Sequence, residues 1–371
     1  MGLAHNEPQS INPEMVILAR ESRGFSQQAL ADYLGIAQGT VSKIEMGLLD
    51  MADEPLDRLA SVLDYPPHFF RQQGRRMGMP MQEIFHRKRQ DVPKKTLEKI
   101  YAQIDIRTKH VEALLQAFDI PCDARPLNVD EYEGCVEDIA RMVRAMWNLP
   151  RGPIPNLTEA VENVGVIVVP FDFETRRIDA MSRWVPPVPP LFFVNSESPM
   201  DRCRFTLAHE LGHIVMHRDP NPELEEQADR FAAEFLMPER DIRADLTSLT
   251  FSQLPQLKRY WKVSMAALLK RALDIGAITK NQSTYLWRQL AAAGYRTHEP
   301  AELDIPFEQP ILIRELTEKH LQELGYSRED LKWILRLNDN EFHAFYLGAA
   351  ASNRQRFQLV KSVPQAEINY F

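Results

Sequence analysis

The run Thr206-Leu207-Ala208-His209-Glu210-Leu211-Gly212-His213 sets two histidines four residues apart in a strongly helical stretch. On an α-helix that spacing puts both imidazoles on one face, one turn apart, able to grip one tetrahedral ion. Glu210 then stands beside the ion, placed to take a proton from bound water and return one to a leaving amine. A third protein ligand is needed, and the next helical run offers acids. Glu225 and Asp229 share a face at i, i+4, so Glu225 can bind the ion while Asp229 orients a ligating histidine through its other ring nitrogen. Glu226, one residue around that helix, is the competing ligand. His217 is eight residues past His209, which on a continuous helix is about 12 Å of rise. Metal–nitrogen bonds are about 2.0–2.1 Å, so the three histidines cannot share one ion unless the helix breaks, and His217 is assigned to packing or support.

The elements around this centre follow from periodicity. The motif helix is expected over Asp201–His217 and its acid-bearing partner over Pro222–Leu236. Two short apolar strands precede them, Val166–Val169 and Leu191–Val194, separated by the stiff loop Val185–Pro190. Upstream, Asn12 and Pro13 open a first helix that Gly24 stops. Ser26 caps a second helix, Gly35 turns the chain, a third helix starts near Gln38, and a fourth runs from Pro55 to Leu63. Helices are also expected over Thr96–Phe118 and about Val129–Trp147. Leu316, Leu321, Leu324, Leu331, Ile334, Leu335, Phe342 and Phe345 suggest a small terminal helical bundle, in which His320 and His343 read as surface or satisfied core groups.

With those residues in view, 202–238 resembles the ImmA/IrrE metallopeptidase family. The likeness rests on Arg204-Phe205-Thr206-Leu207-Ala208-His209-Glu210-Leu211-Gly212-His213, then on Glu225, Ala228-Asp229, Phe231-Ala232-Ala233 and Leu236-Met237-Pro238, and it extends over about residues 130–295 to Gly294-Tyr295-Arg296. The resemblance implies His209 and His213 as metal ligands, Glu210 as the base and Glu225 as the third ligand. Asp229 stands where asparagine is commoner. It also implies that strand Leu191–Asn195 is the sheet edge that holds a substrate backbone by strand addition. Two histidines and a carboxylate suit Zn²⁺ and also admit Mn²⁺.

Residues 24–47 resemble the phage-repressor (Xre/Cro-like) helix-turn-helix, through Ser26-Gln27, Leu30-Ala31, Gly35-Ile36, Val41-Ser42-Lys43-Ile44-Glu45 and Gly47. In such a module Gln27 bonds a phosphate, and the recognition helix shows Gln38, Gly39, Ser42 and Lys43 to double-stranded DNA. Charge argues the other way. Residues 12–70 are net −5, and phosphate neutralisation supplies much of DNA affinity. Residues 71–109 are net +7, through Arg71, Arg75, Arg76, Arg87, Lys88, Arg89, Lys94, Lys95, Lys99, Arg107 and Lys109 against four acids. That segment is either a solvated face or a phosphate-facing stripe.

The 371-residue chain has a formal charge of −8, which argues against a general nucleic-acid coat protein. No apolar run is long enough to span a membrane, and no signal peptide is recognisable at the N-terminus. Cys122, Cys135 and Cys203 form neither a CxxC pair nor a disulfide framework, so a cytoplasmic location is expected.

The expected fold is mainly α with a small β-sheet (α+β). The expected parts are an all-α helix-turn-helix domain (1–75), a basic connector and helix (76–125), an HExxH metallopeptidase domain (126–280) and a C-terminal helical region (281–371). The expected function is a zinc-dependent endopeptidase with a DNA-binding domain, which regulates transcription by cutting a repressor or antitoxin-like protein. The alternative is a repressor or antitoxin whose metallopeptidase fold is a sensor or docking domain. Helix-turn-helix modules commonly pair, so a homodimer is expected.

Overall fold

Local capping chemistry starts the first helices. The Asn12 side chain accepts from the Glu14 amide, Pro13 supplies a preset φ, and α1 runs over Pro13–Ser22. Ser26 caps α2 (Gln27–Leu34) by accepting from the Ala29 amide. Gly35 ends it at φ 68°, a left-handed conformation that a side chain would strain. Then follow α3 (Gln38–Glu45), α4 (Asp53–Leu63), the long α5 (Lys94–Leu115) and the two-residue strand β1 (Phe118–Asp119). The computed structural model describes residues 10–77, 92–124, 127, 135–217, 223–296 and 298–347, and the backbone of 358–359. Arg87, Lys88, Arg89 and the expected helix residues 129–134 lie outside these.

Packing divides the chain into two compact units, Met1–Ile120 with Ile313–Phe371, and Pro121–Leu312. The first has a core of Met15, Leu18, Leu30, Leu34, Val41, Ile44, Leu59 and Leu63, to which α5 adds Ala102 and Ile106.

The second unit begins with α6 (Val136–Met146) and α7 (Leu157–Asn163). Its sheet consists of β2 (Ile167–Phe171), β3 (Ala180–Arg183) and β4 (Leu191–Asn195), in the order β2-β4-β3. Strand β2 is parallel to β4, and β3 is antiparallel to it. This corrects the edge assignment made from resemblance. Leu191–Asn195 is the central strand, every residue of it buried, as a continuous apolar run demands. The edge flanking it on the other side is β3. The helices that follow are α8 (Met200–Met216), α9 (Leu224–Leu236), α10 (Glu239–Leu246), α11 (Leu254–Trp261), α12 (Met265–Asp274) and α13 (Lys280–Ala292). One face of the sheet, through Val166, Val168, Ala180, Phe192 and Val194, shares a core with Leu207, Ala208 and Leu211 of α8.

The chain returns to the first unit with α14 (Leu312–Gln322), α15 (Arg328–Leu335) and α16 (Asp339–Tyr346), and β5 (Gln358–Leu359) pairs antiparallel with β1. The C-terminal stretch expected as one region therefore divides. Leu286, Leu290 and Leu303 join the core around α8, whereas Leu316, Leu331, Ile334, Leu335 and Phe342 pack on Leu114 and Phe118. Thus α5, expected as part of a connector, carries the helix-turn-helix core at its start and the terminal bundle at its end. The architecture is mainly helical with a small sheet, and among the described residues no helix is long and apolar enough to cross a membrane.

Candidate metal centre

Helix α8 brings His209 and His213 to one face, and Gly212 sets how near α9 comes. A Cβ at Gly212 would meet the Phe231 side chain at 3.2 Å and the Ala228 Cα at 3.3 Å, tighter than ordinary contact. The bare glycine thus admits α9 at a distance where Glu225 reaches both histidines. Buried ion pairs hold the two helices from outside. Lys258 pairs with Asp201 in the first turn of α8 and with Glu299 at 2.6 Å. Glu234 of α9, fully buried, lies between Arg271 and Arg141, the latter at 2.9 Å. Removing one partner of such a pair strands a buried charge, so these pairs fix position more than they add stability.

The imidazole Nε2 atoms of His209 and His213 lie 3.0 Å apart. Glu225 presents one oxygen 3.6 Å from His209 Nε2 and the other 3.4 Å from His213 Nε2. Donors around a tetrahedral ion with bonds of about 2.0–2.1 Å stand roughly 3.3 Å from one another, so this triangle fits a metal. These three residues form the group able to hold an ion found among the described residues.

The other ring nitrogens face support. His209 Nδ1 meets Asp229 Oδ1 at 2.8 Å. His213 Nδ1 meets His217 Nδ1 at 2.9 Å, and His217 Nε2 meets Gln227 Oε1 at 3.0 Å. The helix stops at Met216, and His217 is its extended C-cap, turned to the rear of His213. Glu226 is exposed and lies outside the cluster.

Electrostatics follow the same layout. Burial works to lower the His209 pKa, but hydrogen bonds to Asp229 and Glu225 carry it up to about 9. The acids that hold a proton on this ring favour any cation at the same place. Burial, and then the charge of His213, push His217 down to about 4, which keeps it neutral and able to accept or donate as the network requires.

Glu210 is buried, and Ser182 Oγ on β3 donates to its Oε2 at 2.5 Å. Neither Ser182 nor strand β3 was found from sequence. The signal available was the alternation Ala180-Met181-Ser182-Arg183, a four-residue stretch without the β-branched run that marks β2 and β4.

In the helix-turn-helix, Gly39 and Lys43 are exposed, as is Gln38, while Ser42 and Gln27 are half-buried. Gln27 is engaged within the module. Its amide donates to Glu45 at 2.7 Å, and its oxygen accepts from the Gln38 amide at 2.7 Å. Arg20 holds Glu45 from the other side at 2.5 Å. This network ties α1, α2 and both ends of α3. Two cations of the basic stretch are paired with the module's acids: Arg76 with Glu14 and Glu21, at 3.1 and 2.9 Å, and Arg71 with Asp53, at 2.6 Å.

Comparison with known families finds two matching domains along the chain. Residues 161–273 match the IrrE N-terminal-like domain of the M78 peptidases, and residues 16–70 match a helix-turn-helix model. No curated protein matches the chain significantly. The chain thus carries a helix-turn-helix DNA-binding domain followed by an IrrE N-terminal-like domain of metallopeptidase type.

Proposed function

We propose that this protein is a zinc-dependent endopeptidase that regulates transcription by cutting a repressor or antitoxin-like protein, with its helix-turn-helix reading double-stranded DNA. The observation that carries this reading is the convergence of His209, His213 and Glu225 on one point, with the buried Glu210 beside it. His209, His213 and Glu225 hold the ion, and Mn²⁺ suits the same donors. A bound metal supplies Lewis acidity, which makes water a nucleophile at neutral pH and polarises the scissile carbonyl. Glu210 takes the proton that water loses and delivers it to the amine as the C–N bond breaks. Ser182, donating to Glu210, orients that carboxylate. Asp229 and His217 hold the two ligand rings by their Nδ1 atoms. The substrate backbone adds to the edge strand β3.

The test is purified, zinc-loaded protein with the repressor encoded beside it, compared with Glu210→Gln. The variant should keep its zinc and lose about 10²–10⁴-fold in cleavage rate. Equal cleavage by both forms would sink the mechanism.

A second reading is a repressor or antitoxin in which the metal domain senses or docks. The exposed Gln38 and Lys43 on an intact recognition helix favour it. In an operator-binding assay against the chain's own promoter, Gln38→Ala with Lys43→Ala should cost about 1–3 kcal/mol. Unchanged binding would show that α3 is not the reader. The readings are compatible, because a DNA anchor raises the local concentration of the peptidase at a DNA-bound target.

A further inference from the structure

Strand β3 ends beside a large side chain that the metal centre does not use. Trp184 directly follows Arg183 and is 37 % exposed, whereas Met181 and Arg183 are buried. The pleat explains the difference. Ala180 and Ser182 lie on the face that packs on α8, as shown by Ala180 in that core and by Ser182 bonded to Glu210. Their partners across the sheet, Val194 and Phe192, lie on the same face. Strand β3 ends at Arg183, and its alternation continued by one residue assigns Trp184 to this face too, about 6.7 Å along the chain from Ser182. The indole is therefore the next side chain on the cleft side of β3 beyond the group that touches Glu210.

The backbone of this strand is set for pairing. Asn195 N donates to Asp179 O at 2.8 Å, so Asp179 is a residue whose polar groups face β4. In an antiparallel ladder such residues alternate. Met181 and Arg183 then also face β4, and Ala180, Ser182 and Trp184 turn their N–H and C=O to the outer edge. A strand added antiparallel to that edge aligns one residue with Ser182. The residue two positions N-terminal to it lies across from Trp184, on the same face.

We propose that Trp184 forms a specificity pocket for this site, which selects peptides with an aromatic or long aliphatic side chain on the N-terminal side of the scissile bond. The substrate class is an extended segment with a large apolar residue. The segment that follows the indole in sequence, Val185-Pro186-Pro187-Val188, is apolar and carries no charge that would select a basic or acidic residue. This inference rests on the peptidase reading only for the place of the scissile bond. The pocket itself is a binding property.

The experiment separates the two. Zinc-loaded Glu210→Gln protein is titrated with labelled decapeptides of Gly, Ala and Ser that carry a single Phe, Leu, Lys, Glu or Ala. The Phe and Leu peptides should bind about tenfold more tightly than the Ala peptide, the size expected for aromatic packing with burial. Trp184→Ala should reduce that ratio to about one with zinc content unchanged, and Trp184→Phe should retain most of it. A ratio unaffected by Trp184→Ala, a preference for the Lys or Glu peptide, or no binding by any peptide overturns the proposal. If discrimination depends on Trp184 but the wild type cuts no peptide, the pocket stands and the peptidase reading falls. If the wild type cuts peptides without regard to Trp184, the reverse holds.

Discussion

One unit holds half-buried histidines and the other buried ones, and the two settings act on the same side chain in opposite directions. In the metal centre, burial alone would discharge His209, but Asp229 and Glu225 outweigh it and raise the ring to about 9. In the other unit, His110 of α5 is buried against Tyr346, whose hydroxyl lies 2.8 Å from its Nδ1. There burial is reinforced by Arg107 and Arg336, and the pKa falls well below its ordinary value. His320 is lowered as well, mainly by burial. The partners decide. A histidine beside two carboxylates is prepared for a positive charge, and a histidine beside guanidinium groups serves as a neutral core residue. A lone histidine in a sequence carries neither meaning by itself.

Removing the carboxylate that supports His209 breaks this comparison most directly. Asp229→Ala deletes the partner of Nδ1 while leaving both histidines and Glu225 in place. The ring then loses its fixed tautomer and orientation. Zinc affinity should fall by about 10–100-fold, measured by competition with a chromogenic chelator. Asp229→Asn, which keeps an acceptor but not the charge, should recover part of the loss. If Asp229→Ala binds zinc as tightly as the wild type, the support is only structural, and His209 and His110 differ less than their surroundings indicate.

The candidate metal cluster was legible in the sequence because its spacing is local. His209 and His213 are tied by helix geometry, and Glu225 and Asp229 by the same rule one helix later, so four residues could be named, with Asp229 as the support of one histidine ring. His217 was assigned to packing or support, and in the structure it leaves the helix and meets His213 Nδ1. What stayed hidden depends on contacts distant in sequence. The edge role of β3 is fixed by which strand lies in the middle of the sheet, and a four-residue strand with one arginine and one serine gives little periodic signal. The anchor of Arg204 on Glu308, whose carboxylate also accepts from the amides of Leu157 and Thr158, joins segments that nothing local connects. The helical character of the terminal region was readable from its apolar spacing. Its division between two cores was not, because Leu290 and Leu316 look alike until their neighbours are known. The basic stretch shows the same limit: its charge was countable, but the pairing of Arg76 with Glu14 and Glu21 was not.

The opposite side of the comparison is sharpened by acid. The folded pKa of His110 is depressed, while an unfolded chain has a histidine near about 6.5. Between those values the unfolded state binds a proton that the native state does not. Native stability therefore rises with pH in that window and is lost as pH falls below about 6.5, with a limiting slope of about 1.4 kcal/mol per pH unit for one such group. Between pH 7 and pH 5.5 the loss from His110 should be about 1 kcal/mol. Thermal or urea unfolding of the full chain, followed by tryptophan fluorescence, gives the measurement. His110→Gln can retain a bond to the Tyr346 hydroxyl and has no proton to gain. It should lose part of the acid sensitivity and keep the part that His320 contributes. Acid unfolding identical in wild type and variant would mean that His110 is protonated in the native state, and the contrast between His110 and His209 would disappear.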